Sequence, residues 1–341
     1  MAIQFYQLER MNNPLRKTAL SFNYLAKLNA VTATELGECQ QLLGQMLECS
    51  ARRHPVSGPV LIVGMVESGV ILSALLHQEA QRLGFNTFWI CSTRRPASGL
   101  QVIEHHSHAP KHILPLPDVP VTEIWIVEDE ITTGRTIVQV AHLLGEALGV
   151  RKVRVFALAD TRTPAQQRWL HETLAANQTW LVVHTLFRLL KPQAASEASV
   201  PPPATPDLSI VTAPPESAAG WHLSHLRPAL QMQGAPCFPK SQPLRGCLLV
   251  IGEALDLAVR LLAQHPGLAL HHVTLSPWQI DHQSIFDRLH VAPHFYLYNL
   301  SKPTLPLAIL GDPIDTPTTS LLGTMLTEQG YTVTTIIPRM G

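Results

Sequence analysis

One stretch constrains this chain more than any other: Ile124-Trp125-Ile126-Val127-Glu128-Asp129-Glu130-Ile131-Thr132-Thr133-Gly134-Arg135-Thr136. Its apolar start reads as a buried parallel strand, and three acids and a Thr/Gly turn follow. From Arg135 the spacing changes, and Ile137, Val140, Ala141, Leu144 and Leu148 fall on one helical face. Acids and turn therefore lie at the carboxyl end of a strand and the amino end of a helix, where open α/β sheets bind ligands. Turn amides and the helix dipole favour a phosphate there. Thr132, Thr133 and Thr136 add hydroxyl donors, and Gly134 lets a ligand approach the backbone. Glu128 and Asp129 cannot hold a phosphate themselves, but suit sugar hydroxyls or a hydrated Mg²⁺. A phosphate on one side and a diol on the other describe a ribose 5-phosphate. A surface βα turn capped by threonine is the alternative reading.

Composition narrows the class. The 341 residues suggest two domains, and a hydrophobic fraction of 46% is ample for a core. Lys+Arg 25 against Asp+Glu 25 leaves no net charge, which argues against nucleic acid or an anionic membrane surface as partner. No apolar signal segment opens the chain, and the run Pro59 to Leu76 is broken by Glu67-Ser68-Gly69, so no membrane span is expected. Five cysteines, odd in number and without CxxC spacing, read as reduced cytosolic thiols.

In chain order, residues 1–30 show no clear pattern. A helix is expected over 34–53, then a strand over 59–63, the turn Gly64 to Gly69, a helix to Leu83 and a strand over 87–92. The stretch from Thr93 to Val121, rich in His and Pro, reads as a long loop, of the kind that serves as a lid. It holds Arg94 and Arg95, suited to bidentate phosphate pairing or simply to a solvated strand end. It also holds His105, His106, His108 and His112, which invite a metal reading but lack a neighbouring Cys or helical spacing. A strand over 153–158, a helix over 164–176 and a strand over 179–187 follow. Residues 191–220, rich in Pro and Ala, read as an extended linker between independently folding domains. Beyond it, strands over 246–251, 268–274, 295–300, 305–310 and 332–337, with helices after Gly252 and over 318–329, indicate a second α/β unit.

The run Val127 to Thr136 resembles the 5-phosphoribosyl 1-diphosphate (PRPP) signature of type I phosphoribosyltransferases. It is not a Walker A loop, since the GxxxxGK[ST] spacing is absent. The resemblance implies a type I fold, a parallel sheet flanked by helices, followed by a smaller α/β domain. It implies that Glu128 and Asp129 hold the ribose hydroxyls while Thr132, Thr133, Gly134, Arg135 and Thr136 cradle the 5′-phosphate. Val66, Glu67, Ser68 and Gly69 resemble the family's pyrophosphate loop, with the amides of Glu67, Ser68 and Gly69 facing the diphosphate. Arg94 and Arg95 then act catalytically on the departing diphosphate from the hood, and His105, His106 and His108 line its substrate side. Asp160 and Arg162 are candidate acceptor contacts. Thr132 stands where the 6-oxopurine branch carries an Asp used as a base, so the match is closer to the orotate-type branch.

The Glu-x-His-Ser-His-Ala-Pro element from Glu104 resembles a subfamily of bacterial stress and tellurium-resistance clusters, whose members carry a C-terminal TRSP domain. Thr274-Leu275-Ser276-Pro277 matches that domain's namesake motif with Leu in place of Arg, which puts an anion-binding role of the turn in doubt. The expectation is a cytoplasmic phosphoribosyltransferase: residues 1–191 the transferase domain, 192–220 the linker and 221–341 the TRSP-like domain. Mg²⁺ is the expected cofactor, brought by PRPP with Asp129 as a ligand. PRPP and a small base-like acceptor are the partners, and a homodimer is allowed. A non-catalytic PRPP-binding regulator, or a scaffold docked through its C-terminal domain, is the other reading.

Overall fold

The computed structural model describes residues 3–11, 17–103, 111–189, 210–211, 245–292, 294–300 and 306–336. The chain opens with an antiparallel hairpin, β1 (Phe5–Glu9) and β2 (Thr18–Phe22), followed by the short β3 (Val31–Thr32). Helix α1 (Ala33–Arg53) starts at a capping box: Thr32 Oγ1 accepts from Glu35 N, and the Glu35 carboxylate accepts from Thr32 N. Next come β4 (Val60–Gly64), α2 (Ser68–Arg82) and β5 (Thr87–Cys91). The hairpin β6 (Gly99–Ile103) and β7 (Lys111–Leu114) precedes β8 (Glu123–Ile131), α3 (Arg135–Leu148), β9 (Lys152–Asp160), α4 (Pro164–Ala176) and β10 (Trp180–Arg188).

The first sheet is wholly parallel, in the order β10-β9-β8-β4-β5. Its inner strands β4, β8 and β9 are largely buried on both faces, as their apolar runs require, while the edge strand β10 is only half-buried. Along β4, Leu61 and Val63 pack towards the α3 side, while Val60 and Ile62 pack towards α1 and α2. From β4 the chain winds to β5, and from β8 it winds the other way to β9 and β10. The switch point, where doubly wound sheets bind ligands, therefore falls between the carboxyl ends of β4 and β8.

A second sheet forms from β12 (Gly246–Ile251), β13 (Leu268–Val273), β16 (Leu307–Leu310) and β17 (Val333–Ile336), in the order β17-β16-β12-β13-β3. Its strands are parallel except β3, which pairs antiparallel with β13, Val31 opposite Leu270. Helix α5 (Leu255–Gln264) follows β12 and α6 (Thr316–Glu328) follows β16. This sheet too is wound in both directions from β12 and β16. A small hairpin, β14 (Arg288–Ala292) and β15 (Phe295–Tyr298), completes the unit.

Two expectations change. The stretch from Thr93 to Val121, read as a loop, contains the hairpin β6–β7. β11 (Ile210–Val211), from within the expected linker, pairs with β6. Nor do the two α/β units have separate cores. One apolar cluster contains Trp125 and Phe156 of the first sheet, Leu43 and Leu47 of α1, and Leu72 and Leu76 of α2. The same cluster continues through Leu261 of α5 to Val250 of the second sheet. Helices α1, α2 and α5 thus form a layer between the two sheets. The first thirty residues also belong to both units, since Leu8 and Ala19 pack with Trp278 and Tyr298.

Candidate active site

Two turns meet at the switch point of the first sheet. Glu128 and Asp129 stand half-buried at the carboxyl end of β8, and Glu130 is buried. The third acid has a structural task. Its carboxylate accepts from Thr161 Oγ1 at 2.8 Å and from Leu20 N at 3.3 Å, tying β8 to β9 and to the N-terminal hairpin. The pair singled out in the sequence, Glu128 and Asp129, stays half-buried at this strand end. Gly134 then adopts φ 87°, a left-handed conformation that disfavours a side chain, and starts α3. Arg135 N donates to Thr133 Oγ1 at 3.3 Å. Thr132, Thr133, Arg135 and Thr136 are all half-buried around this helix start. The strand–turn–helix geometry read from the sequence is thus present.

The second turn, Met65 to Ser68, joins β4 to α2. It lies directly beside the acids, because a Cβ on Gly69 would sit 2.8 Å from the carbonyl of Val127. Only glycine lets the first turn of α2 rest on the β8 backbone. Gly69 N donates to Met65 O at 2.8 Å, so of the three amides expected to face a diphosphate this one is used within the turn. Val66 N is held by Ser92 Oγ at 3.0 Å.

Glu67 is directed into the protein, not into the crevice. Its carboxylate accepts from Thr274 Oγ1 at 2.6 Å, from Leu275 N at 2.7 Å and from Ser276 Oγ at 3.5 Å. Lys27 Nζ lies 3.5 Å from it and donates to Ser68 Oγ at 2.9 Å and Ser276 Oγ at 3.3 Å. Burial alone would push the Glu67 carboxyl up, but Lys27, His272, Arg94 and the Thr274 hydroxyl together hold it well below the usual carboxylate range. Burial draws the Lys27 ammonium down, opposed by Glu67 and Asp129. The Thr274–Ser276 turn therefore does bind an anion, one supplied by the protein. Leu275 serves through its backbone N–H, which needs no particular side chain.

Arg94 and Arg95 are also engaged across the units. Arg95 is caged by Glu253, Asp312 and Asp315, which stand at the carboxyl ends of β12 and β16, the switch point of the second sheet. Arg94 N donates to Glu253 at 2.8 Å, as Thr93 Oγ1 does at 2.6 Å. The Arg94 guanidinium stays with the β4–α2 turn, donating to Val66 O at 3.4 Å and lying 3.9 Å from Glu67. Burial pushes the Asp315 carboxyl up to about 6, against the pull of Arg95.

Asp160 and Arg162, candidate acceptor contacts, are buried and paired with each other at 2.9 and 3.0 Å, with Arg162 Nη1 left without a hydrogen-bond partner. His105, His106 and His108 lie outside the described residues, and among the described residues no group of His, Cys, Asp or Glu could hold a metal on its own. Lys27, Glu253, Asp312 and Asp315 carried no signal in the sequence. Their roles depend on contacts made across the fold.

A family model described as phosphoribosyl transferase matches residues 6–188. No curated protein matches the chain. Among solved structures, an adenine phosphoribosyltransferase from Saccharomyces cerevisiae is 17% identical, with TM-score 0.34, over 53% of this chain and 94% of its own. The adenine enzyme of Trypanosoma brucei is 12% identical, with TM-score 0.35, over 54% and 76%. An orotate phosphoribosyltransferase from Aeropyrum pernix is 18% identical, with TM-score 0.33, over 55% and 88%.

Proposed function

Because this chain belongs to the phosphoribosyl transferase family, we propose that it transfers the 5-phosphoribosyl group of PRPP to a small base-like acceptor, or runs the reverse phosphorolysis. One observation carries this reading: an acid pair and a left-handed helix-start turn share one switch-point crevice with the N-terminus of α2. Glu128 and Asp129 would take the ribose 2′- and 3′-hydroxyls, and the 132–136 turn the 5′-phosphate. The β4–α2 turn would take the diphosphate. The donor set fits Mg²⁺, which keeps most of its waters and takes one or two carboxylates plus substrate phosphates. Asp129 would be its protein ligand, and the ion would offset charge on the departing diphosphate.

The chain's own contribution is positioning and charge. The turns would hold both ends of the sugar phosphate, and Arg94, which donates to Val66 O, would stand at the diphosphate side. Arg95 would have to exchange its carboxylate cage for the diphosphate to act there. Thr132 in place of an acid favours an acceptor other than a 6-oxopurine. The Thr274–Pro277 turn supports a TRSP-like assignment of the C-terminal unit, and with it the stress and tellurium-resistance setting. The cysteines Cys39, Cys49, Cys91 and Cys247 are free thiols, in keeping with a cytoplasmic protein. Asp129→Asn tests the reading by calorimetry with PRPP and Mg²⁺. Affinity should fall by about 1–3 kcal/mol, the cost of poorly paired buried hydroxyls. Unchanged affinity in a folded variant would refute it.

A further inference from the structure

The second α/β unit meets the proposed phosphoribosyl site at Thr93–Arg95 and, more deeply buried, at the Glu67 side chain. That residue sits at the start of α2, in the turn beside Asp129. A carboxylate there, if it faced the crevice, would repel any polyanion bound at the helix N-terminus. It does not face the crevice. Thr274, Leu275 and Ser276 donate three hydrogen bonds to it from behind. Lys27 closes the arrangement by linking Ser276 to Ser68, the first residue of the helix. Lys27 and Glu67 are almost fully buried, so neither side chain is spare surface charge.

We propose that the C-terminal unit is a positioning element of the transferase site: its Thr274–Leu275–Ser276 turn holds Glu67 away from the crevice and, with Lys27, fixes the turn that receives the diphosphate. The inference rests on the phosphoribosyl reading above. Thr274, Ser276 and Lys27 are positioning residues. Thr274 and Ser276 act through Glu67 on the diphosphate end of the ligand, and Lys27, which also feels Asp129, acts there through Glu67 and Ser68. The 5′-phosphate turn at 132–136 is built by β8 and α3.

The placement at the diphosphate end gives the test. Full-length Thr274→Val and Ser276→Ala are compared with wild type by calorimetry, using ribose 5-phosphate, inorganic diphosphate with Mg²⁺, and PRPP with Mg²⁺. In the variants, affinity for diphosphate and for PRPP should fall about 10- to 100-fold, the scale of a misplaced catalytic contact. Ribose 5-phosphate affinity should stay at the wild-type value, and Thr274→Ser should restore diphosphate binding. A folded Thr274→Val that binds diphosphate and PRPP as wild type does overturns the inference and leaves the phosphoribosyl reading standing. Equal loss for all three ligands also overturns it, since the turn would then be a general structural contact. Wild type that binds neither ribose 5-phosphate nor PRPP overturns both.

Discussion

The paired histidines of β13 should make the folded protein sensitive to mild acid. His271 and His272 are fully buried beneath the junction of the two units, and Nε2 of the first and Nδ1 of the second have no hydrogen-bond partner. Burial lowers both from 6.5 to about 4, with Glu67 opposing the effect at His272. The folded state is then the weaker proton binder. Stability is full above 6.5 and is lost as pH falls towards 4. Moving from about pH 7.5 to about pH 5.5 should cost about 1.4 kcal/mol for each histidine. Asp315 works in the opposite direction: its carboxyl, raised to about 6, lets the folded state take up a proton more readily than the unfolded chain. That offsets about 0.8 kcal/mol over the same interval. The net loss from these three groups is about 2 kcal/mol, a large share of a typical domain's stability. Urea unfolding at the two pH values measures it. The double variant His271→Gln, His272→Gln should flatten the dependence, leaving at most the small opposite slope of Asp315. An equally steep acid loss in that variant would refute the assignment of the proton uptake to these two groups.

Two further outcomes are expected. Arg154 is buried with Glu123, donates to Ser50 Oγ and His54 O at 2.7 Å each, and lies over the Trp180 ring. Arg154→Met leaves the Glu123 carboxylate buried and unpaired and should cost about 3–5 kcal/mol in urea unfolding, whereas the paired replacement with Glu123→Leu should recover most of it. A protease site engineered into residues 192–220 should, once cut, give two fragments that still co-elute on gel filtration, because one apolar cluster spans both units. Fragments that separate would show that the shared helix layer contributes little.

What the sequence revealed was local. The stretch from Ile124 to Thr136 showed its strand, turn and helix because an apolar run, an acid cluster and a helical spacing follow one another without interruption. Helix α4 was legible from Pro164 and its regular spacing, and its capping box agrees. By contrast, β3 is two residues long and exists only because β13 accepts it, so no periodicity could mark it. The hairpin β6–β7 was hidden by the Pro- and His-rich residues around it. Site residues failed in the same way. Glu67 was singled out for its backbone, yet its side chain finds its partners 207 and 208 positions away, at Thr274 and Leu275. Arg95 reads as a phosphate clamp in isolation, and only the folded chain brings Asp315, 220 positions on, to its guanidinium. Spacing rules describe neighbours along one element and say nothing of such pairs.

The helix layer between the two sheets has a consequence for how the protein is made. Helices α1 and α2 leave the ribosome early, but the α5 residues Leu257, Leu261 and Leu262 that share their cluster are encoded more than 170 positions after Arg82. At about 5–20 residues per second, that delay is roughly 10 to 35 seconds. Throughout it, apolar surface destined for the interior stays uncovered, and Val31 waits for a strand not yet synthesised. The transferase half is therefore begun first and finished last, and its nascent form is the state most exposed to aggregation and most in need of a chaperone.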